Sequence, residues 1–210
     1  MRRMPTEPAA RRGSLREEQK RLTRNKIVET ARSLFETEGY SAVRVDDIVA
    51  AVGCSRATFY LHFTSKSEVL RAIANEGTLT SVREFYADLD RVLTTGSRAA
   101  FEEWMTRAIY WFLTNKDMLP AWDEATALEP EFRAVAREGI MTLADSMPAY
   151  LARWPEQRRD EARLRIELLV AQLERFFTRW AMQGVIDVTA EKAATVLTDV
   201  WFPALQAPVE

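Results

Sequence analysis

Residues 45–66 read VDDIVAAVGCSRATFYLHFTSK, and they decide the fold. Val45, Ile48, Val49 and Val52 recur at helical spacing over two turns, and Gly53 stands where a left-handed residue ends a helix. Ser55 then offers its hydroxyl as the N-cap of a second short helix over residues 56–63. Two short helices joined by Gly53, Cys54 and Ser55 make a helix-turn-helix. The first is held by its apolar face and the second projects outward. A DNA major groove is wide enough to admit such a helix. The residue types suit that groove: Arg56 can fork onto guanine, Ala57 can touch a thymine methyl, and Thr58 offers a hydroxyl and a methyl. Tyr60, His62 and Lys66 can reach phosphate oxygens, and the next helix points its first N–H groups the same way.

The pattern extends outward on both sides. Upstream, Leu22, Ile27, Val28, Ala31, Leu34 and Phe35 form the apolar stripe of a helix over residues 17–38, closed by Gly39. Downstream, Ser65-Lys66-Ser67-Glu68 is a capping box that opens a fourth helix, expected over residues 66–93 with Gly77 weakening its middle. Beyond Gly96, Phe101, Trp104, Met105, Ala108, Trp111 and Phe112 line one face of a further helix. Pro130 and Pro155 suit first-turn positions, whereas Pro148 is expected to kink or end the helix it sits in. Ala162, Ile166, Leu169, Val170, Leu173, Phe176, Phe177 and Trp180 give the longest stripe, and a last helix from Thr189 carries Ala193, Val196, Leu197, Val200 and Trp201. No segment alternates as a strand would. The chain reads as all-α, with a flexible basic arm over 1–16, a helix-turn-helix head over 17–76 and a helical body over 77–210.

Composition narrows the function. The 210 residues are 47% hydrophobic and 29% charged, a globular balance. One Cys excludes an intrachain disulfide, and with one His it excludes a Cys/His zinc site, so no metal or cofactor is expected. No uncharged apolar run reaches the length of a membrane span, and the basic first residues lack the apolar core of a signal peptide, so the expected location is the cytoplasm. No nucleophile–base cluster is present, which argues against an enzyme. Residues 1–76 hold 14 Lys/Arg against 10 Asp/Glu, while residues 77–210 hold 15 against 21 and all six Trp. That asymmetry suits a head for a polyanion and a body for something apolar.

Residues 23–73, TRNKIVETARSLFETEGYSAVRVDDIVAAVGCSRATFYLHFTSKSEVLRAI, resemble the DNA-binding domain of the TetR family of bacterial transcriptional regulators. The likeness is carried by Ala31, Leu34, Phe35, Gly39-Tyr40, Ile48-Val49, Gly53, Ser55, Thr58-Phe59-Tyr60, His62-Phe63 and Ser65-Lys66. It implies a homodimer whose heads read a near-palindromic operator and whose helical bodies dimerise and bind a small effector. It also implies that Arg56, Ala57, Thr58, Tyr60, Leu61, His62 and Lys66 face DNA. Arg44 stands where the family usually has Ser or Thr, which replaces a cap or phosphate contact with a longer basic reach. Cys54 replaces the usual Val or Ile and is expected as a small buried filler.

The body resembles more distantly the effector domain of the repressors that control an ethionamide-activating monooxygenase, through Trp104, Trp111 and Trp201. Those pockets carry Asn anchors where Val170 and Leu173 stand here. The expected effector site is lined by Phe101, Trp104, Met105, Ala108, Trp111, Phe112, Trp122, Gln172 and Trp201, with Asn115, Asp123 and Thr126 as further candidate anchors. Such walls suit a small hydrophobic, uncharged effector. The expected homodimer uses the apolar faces of the last two long helices, the first ending in Phe176, Phe177 and Trp180. The alternative function is a helical protein-interaction module without specific DNA binding.

Overall fold

The computed structural model describes residues 9–75 and 79–207, and every regular element among them is helical. The chain divides into two compact units, Met1–Ile73 and Ala74–Glu210. The first unit holds α1 (Ala9–Glu38), α2 (Val45–Val52), α3 (Arg56–Tyr60) and α4 (Lys66–Ile73). Helix α1 begins eight residues before the expected start at residue 17. Ala, Arg and Leu make up most of that extension, and all favour helix. Residues 9–16 are therefore helical rather than an irregular arm, and residues 1–8 of the expected arm lie outside the described residues.

The head core forms where α1 packs on α2 and α4. Ile27, Val28, Ala31 and Phe35 of α1 are buried with Ile48 and Val52 of α2, Phe59 and Phe63, and Val69, Leu70 and Ile73 of α4. Two lysines tie backbone across this core. The Lys26 ammonium donates to the Val52 carbonyl at 2.8 Å, closing the end of α2. The Lys66 ammonium donates to the carbonyls of Tyr40 and Val43 at 2.6 and 2.8 Å and lies 4.2 Å from the Tyr40 ring centroid. It thereby fixes the loop between α1 and α2.

The second unit holds α5 (Leu79–Thr95), α6 (Arg98–Asn115), α7 (Leu119–Leu128), α8 (Pro130–Asp145), α9 (Pro148–Ala152), α10 (Arg159–Phe177) and α11 (Ala190–Ala204). Within the single helix expected over residues 66–93, α4 ends at Ile73 and α5 starts at Leu79, and residues 76–78 lie outside the described residues. Pro148 opens α9 instead of kinking a helix, because a first-turn proline has no intrahelical N–H bond to lose. The buried Asp90 carboxylate completes that start, accepting from the N–H groups of Ala149 and Tyr150 at 3.0 and 2.6 Å. Thr189 caps α11 through the Lys192 N–H at 3.3 Å. Trp104, Met105, Phe101 and Trp201 are fully buried where α6 packs along α11.

Candidate functional site

The turn between α2 and α3 is fixed by local chemistry. Gly53 adopts φ 73°, and its N–H donates to Val49 at 3.0 Å while the Cys54 N–H donates to the same carbonyl at 3.2 Å. A side chain at this φ would be strained. The Ser55 hydroxyl accepts from the Thr58 N–H at 3.0 Å and bonds the Thr58 hydroxyl at 2.9 Å, so α3 starts at a defined residue. Phe59 and Phe63 anchor it inward, with ring centroids 6.0 Å apart. Arg56, Ala57, Tyr60 and Leu61 are exposed on the outside, Leu61 at 74%. An apolar side chain that exposed at the end of a reading helix costs solvation in the free protein.

The remaining expected DNA-facing residues are placed as follows. Arg56 pairs with Asp46 of α2, Nε to Oδ1 at 2.7 Å, and both side chains are mostly exposed. Such a pair is worth at most about 1 kcal/mol, so a phosphate or guanine can displace Asp46. Arg44 is exposed ahead of α2, and its guanidinium, a donor only, cannot cap amides. Instead the Asp47 carboxylate accepts from the Arg44 N–H at 2.8 Å. Thr58 and His62 are half-buried. Burial, then the charges of Lys20 and Arg24, hold His62 below the usual imidazole value, so its ring is neutral at pH 7. Cys54 is half-buried rather than core. Lys66, expected at a phosphate, is directed to the two loop carbonyls described above. Its capping box is also shifted by one residue: the Ser65 hydroxyl accepts from the Glu68 N–H, but the Glu68 carboxylate reaches the Thr64 N–H, at 2.6 Å. Those bonds hold Glu68 below the usual carboxylate value.

The body contains a cavity of about 290 Å³ between α5, α6, α7, α8 and α10. Helix α6 contributes Trp104, Ala108, Trp111 and Phe112; α7 contributes Leu119, Trp122, Asp123 and Thr126. Helix α8 supplies Phe132, Val135, Ala136, Gly139, Ile140 and Leu143, and α10 supplies Val170, Leu173 and Glu174. Val82, Arg83, Phe85 and Tyr86 of α5 close it. Five of the expected residues thus line the cavity, namely Trp104, Ala108, Trp111, Phe112 and Trp122, as do the candidate anchors Asp123 and Thr126.

The other expected lining residues lie elsewhere. Phe101, Met105 and Trp201 are packed in the core, because the stripe of α6 wraps around the helix and its first turns face α11. Gln172 points to solvent, one residue off the α10 stripe. Asn115 donates to the Trp111 carbonyl at 2.7 Å. Sequence reasoning missed Tyr86, the α8 wall and Glu174. Glu174 left a readable signal, since it falls four residues after Val170 and three before Phe177, a carboxylate set in an apolar stripe. Burial and the neighbouring Asp123 charge push its carboxyl up to about 7. Burial also pushes Asp123 up, against the pull of Arg175.

The features at the expected dimer surface are redistributed as well. Phe177 is buried and stacks on Phe112 at 4.1 Å, and the Trp180 N–H donates to Val188 at 2.7 Å. The exposed apolar residues are instead Leu164 and Leu168 on α10 and Val196 and Val200 on α11.

A three-helix head with a turn-linked α2–α3 pair, in a chain whose second unit is a hollow helical body, defines a helix-turn-helix DNA-binding regulator. Residues 27–73 match the family model of bacterial regulatory proteins, tetR family. The chain is similar to the HTH-type transcriptional regulator EthR of Mycolicibacterium smegmatis, with 28% identity over 85% of this chain and 84% of that one. It is also similar, over 23% of its length and 26% of the relative's, to the biofilm operon negative transcriptional regulator IcaR of Staphylococcus epidermidis, at 35% identity. In fold it resembles a transcriptional regulator from Aquifex aeolicus, with a TM-score of 0.61, 17% identity and coverage of 85% and 96%. The comparisons thus place the head among the DNA-binding domains of bacterial tetR-family regulators, and the chain is similar along most of its length to a transcriptional regulator. Among the described residues no helix is long and apolar enough to cross a membrane.

Proposed function

We propose that the protein is a ligand-responsive repressor of transcription, acting in the cytoplasm on a palindromic operator and released from it by a small hydrophobic effector. The observation that carries this reading is the cavity. A helical unit of this size that served only as a dimerisation platform would close its core, because packed interiors leave few voids larger than a water molecule. Here aromatic walls enclose about 290 Å³ with a few polar groups, as small-molecule sites do. Arg44, Arg56, Ala57, Thr58, Tyr60 and Leu61 are the exposed or half-buried head residues that would meet DNA, with His62 as a neutral donor. A homodimer is supported by the exposed i, i+4 pairs Leu164/Leu168 and Val196/Val200, apolar side chains that a two-fold interface would cover.

An effector that binds better to a conformation with lower DNA affinity must itself be bound less well by the DNA complex, by the same factor. The test is selection of bound sequences from random DNA with the full-length protein, followed by operator titrations with and without hydrophobic compounds. A palindromic consensus and a 5–150-fold loss of affinity on effector binding, corresponding to about 1–3 kcal/mol, are expected. Random sequences recovered from the selection would support the interaction-module alternative instead.

A further inference from the structure

We propose that Asp46 is a positioning residue for base reading: it holds the Arg56 guanidinium along one edge and leaves the other end free for a single guanine. This rests on the reading of the head as an operator-binding domain and adds a residue which that reading leaves out. Arg56 is the first residue of α3, directly after the Ser55 cap that fixes where the helix begins. In a helix-turn-helix the first residues of the second helix are the ones that meet base edges. Asp46 stands in the first turn of α2, so its pair with Arg56 spans two helices, unlike Glu18–Arg21 and Glu68–Arg71, which join neighbours on one helix. The contact is made twice. Nε lies 2.7 Å from Oδ1, and Nη2 donates to Oδ2 at 3.1 Å. The carboxylate therefore lies along the Nε–Nη2 edge of a planar group that carries five N–H donors. The opposite end of the plane, Nη1 with one N–H of Nη2, has no partner among the described residues. That end is a donor pair matched to guanine O6 and N7.

The pair does what neither residue does alone. It restrains a long side chain before DNA arrives, so less rotamer freedom is lost on contact. It also makes the two side chains neutral together. A phosphate, which needs only the charge, has to displace Asp46 to gain it, whereas a guanine is read with the pair intact. Asp46 thus acts against binding to arbitrary DNA as well as for binding to the operator. The pair strengthens as α3 enters a groove, because two charges attract more when water leaves their surroundings. In the free protein both side chains are mostly exposed, and such a pair adds little to stability. Its use lies in what the arginine presents, not in the fold. The neighbouring carboxylate does not take over this place, since Asp47 accepts from the Arg44 N–H instead.

The test uses the full-length protein, Asp46→Asn, Arg56→Ala and the double variant. Sequences are selected from random DNA with each, and affinities for the parent's consensus and for a random duplex are titrated against salt. The parent is expected to select a guanine in each half-site that Arg56→Ala no longer selects. Asp46→Asn should lower the preference for that guanine by about threefold or more, out of the roughly 5–150-fold that one bidentate contact supplies. The same variant should bind the random duplex more tightly. Its log–log salt slope should steepen by about 1 for each head, because a freed Arg56 can neutralise a phosphate. Loss of folded protein would weaken binding to both DNAs alike, so a preference that falls while random binding rises separates positioning from structure. In the Arg56→Ala background, Asp46→Asn should change no base preference, since no guanidinium is left to hold. An unchanged guanine preference in Asp46→Asn overturns the proposal and leaves the operator-binding reading standing. A consensus without a guanine that depends on Arg56 does the same. An equal change in preference with and without Arg56 overturns it too, because Asp46 would then read a base by itself. Recovery of no consensus with the parent overturns the operator reading and this proposal together.

Discussion

The head and the body treat their polar groups in opposite ways. In the head, Lys26, Lys66, Ser55, Asp47 and Glu68 each bond backbone, and together they fix both ends of α2 and the starts of α3 and α4. In the body, Asp90 does the same for α9, but Asp123 and Glu174 border the cavity as exposed side chains that bond no backbone. A surface that must present one shape to DNA gains from a backbone tied at every turn. A cavity whose bordering carboxylates meet solvent needs no such ties.

The comparison breaks most visibly if the aromatic core of the body behaves like a ligand wall. Trp104 lines the cavity, but it is also fully buried, donates to the Phe85 carbonyl at 3.1 Å and lies within 6.2 Å of the rings of Phe85, Tyr86, Phe101 and Trp201. Trp104→Ala should therefore destabilise the protein by about 3–5 kcal/mol in urea unfolding. Trp111→Ala, at a half-buried position, should cost less than half of that and change effector affinity instead. Equal losses of stability in the two variants would show that the cavity wall and the core are not distinct.

In the head, Lys66 separates a tying residue from a DNA contact. Removing an ammonium that holds two carbonyls should cost roughly 1.5–3 kcal/mol of stability, because bonds to charged groups contribute more than neutral ones and the carbonyls lose their partner. Lys66→Ala should lower the melting temperature in the absence of DNA. A variant that melts like the parent but shows a shallower salt dependence of DNA binding would return Lys66 to the phosphate role.

Legibility in the sequence followed the same division. The head was readable because its determinants are local: Gly53 before Ser55, an inward Phe59 and Phe63, a lysine at the start of α4. What escaped was the partner of each charge, since Lys66 to Tyr40 and Arg56 to Asp46 are contacts across the fold that no periodicity encodes. The body gave its helices and its central aromatics, Trp104, Trp111 and Phe112, from one stripe on α6. It did not give the division of that stripe into core and cavity, which depends on where α11 lies. The α8 wall carries small and medium residues, Val135, Ala136 and Gly139, that have no signature of their own. A carboxylate within the stripe of α10 was the sign that the apolar pattern alone did not use.

Arg56 sharpens the comparison at the level of one base pair. Its pair with Asp46 is solvent-exposed, so Arg56→Ala should leave the melting temperature almost unchanged. If the guanidinium swings to a guanine edge, the variant should lose roughly 1–3 kcal/mol of operator affinity and relax preference at one position of each half-site. Selection from random DNA with the variant measures this directly. A uniform loss on all sequences would make Arg56 a backbone contact.

The smallest effect concerns Glu174 and the cost of keeping a receptor empty. An acid whose folded pKa stands near 7, against an ordinary 4.5, binds its proton more tightly when folded. Its contribution to stability is complete below the ordinary value and is lost as pH rises through about 7, where the folded protein must hold a carboxylate that the unfolded chain solvates freely. The Glu174 side chain is exposed, so solvent screens much of that penalty and the gain from Glu174→Gln should stay below about 1 kcal/mol. It should nevertheless be larger at pH 8 than at pH 5, because only at pH 8 is the parent side chain charged in both states. Urea unfolding of the two proteins at both pH values supplies the four numbers needed. An equal gain at the two pH values would mean that Glu174 meets solvent as an ordinary surface acid, and a loss at pH 8 would mean that its charge already has a partner within the body.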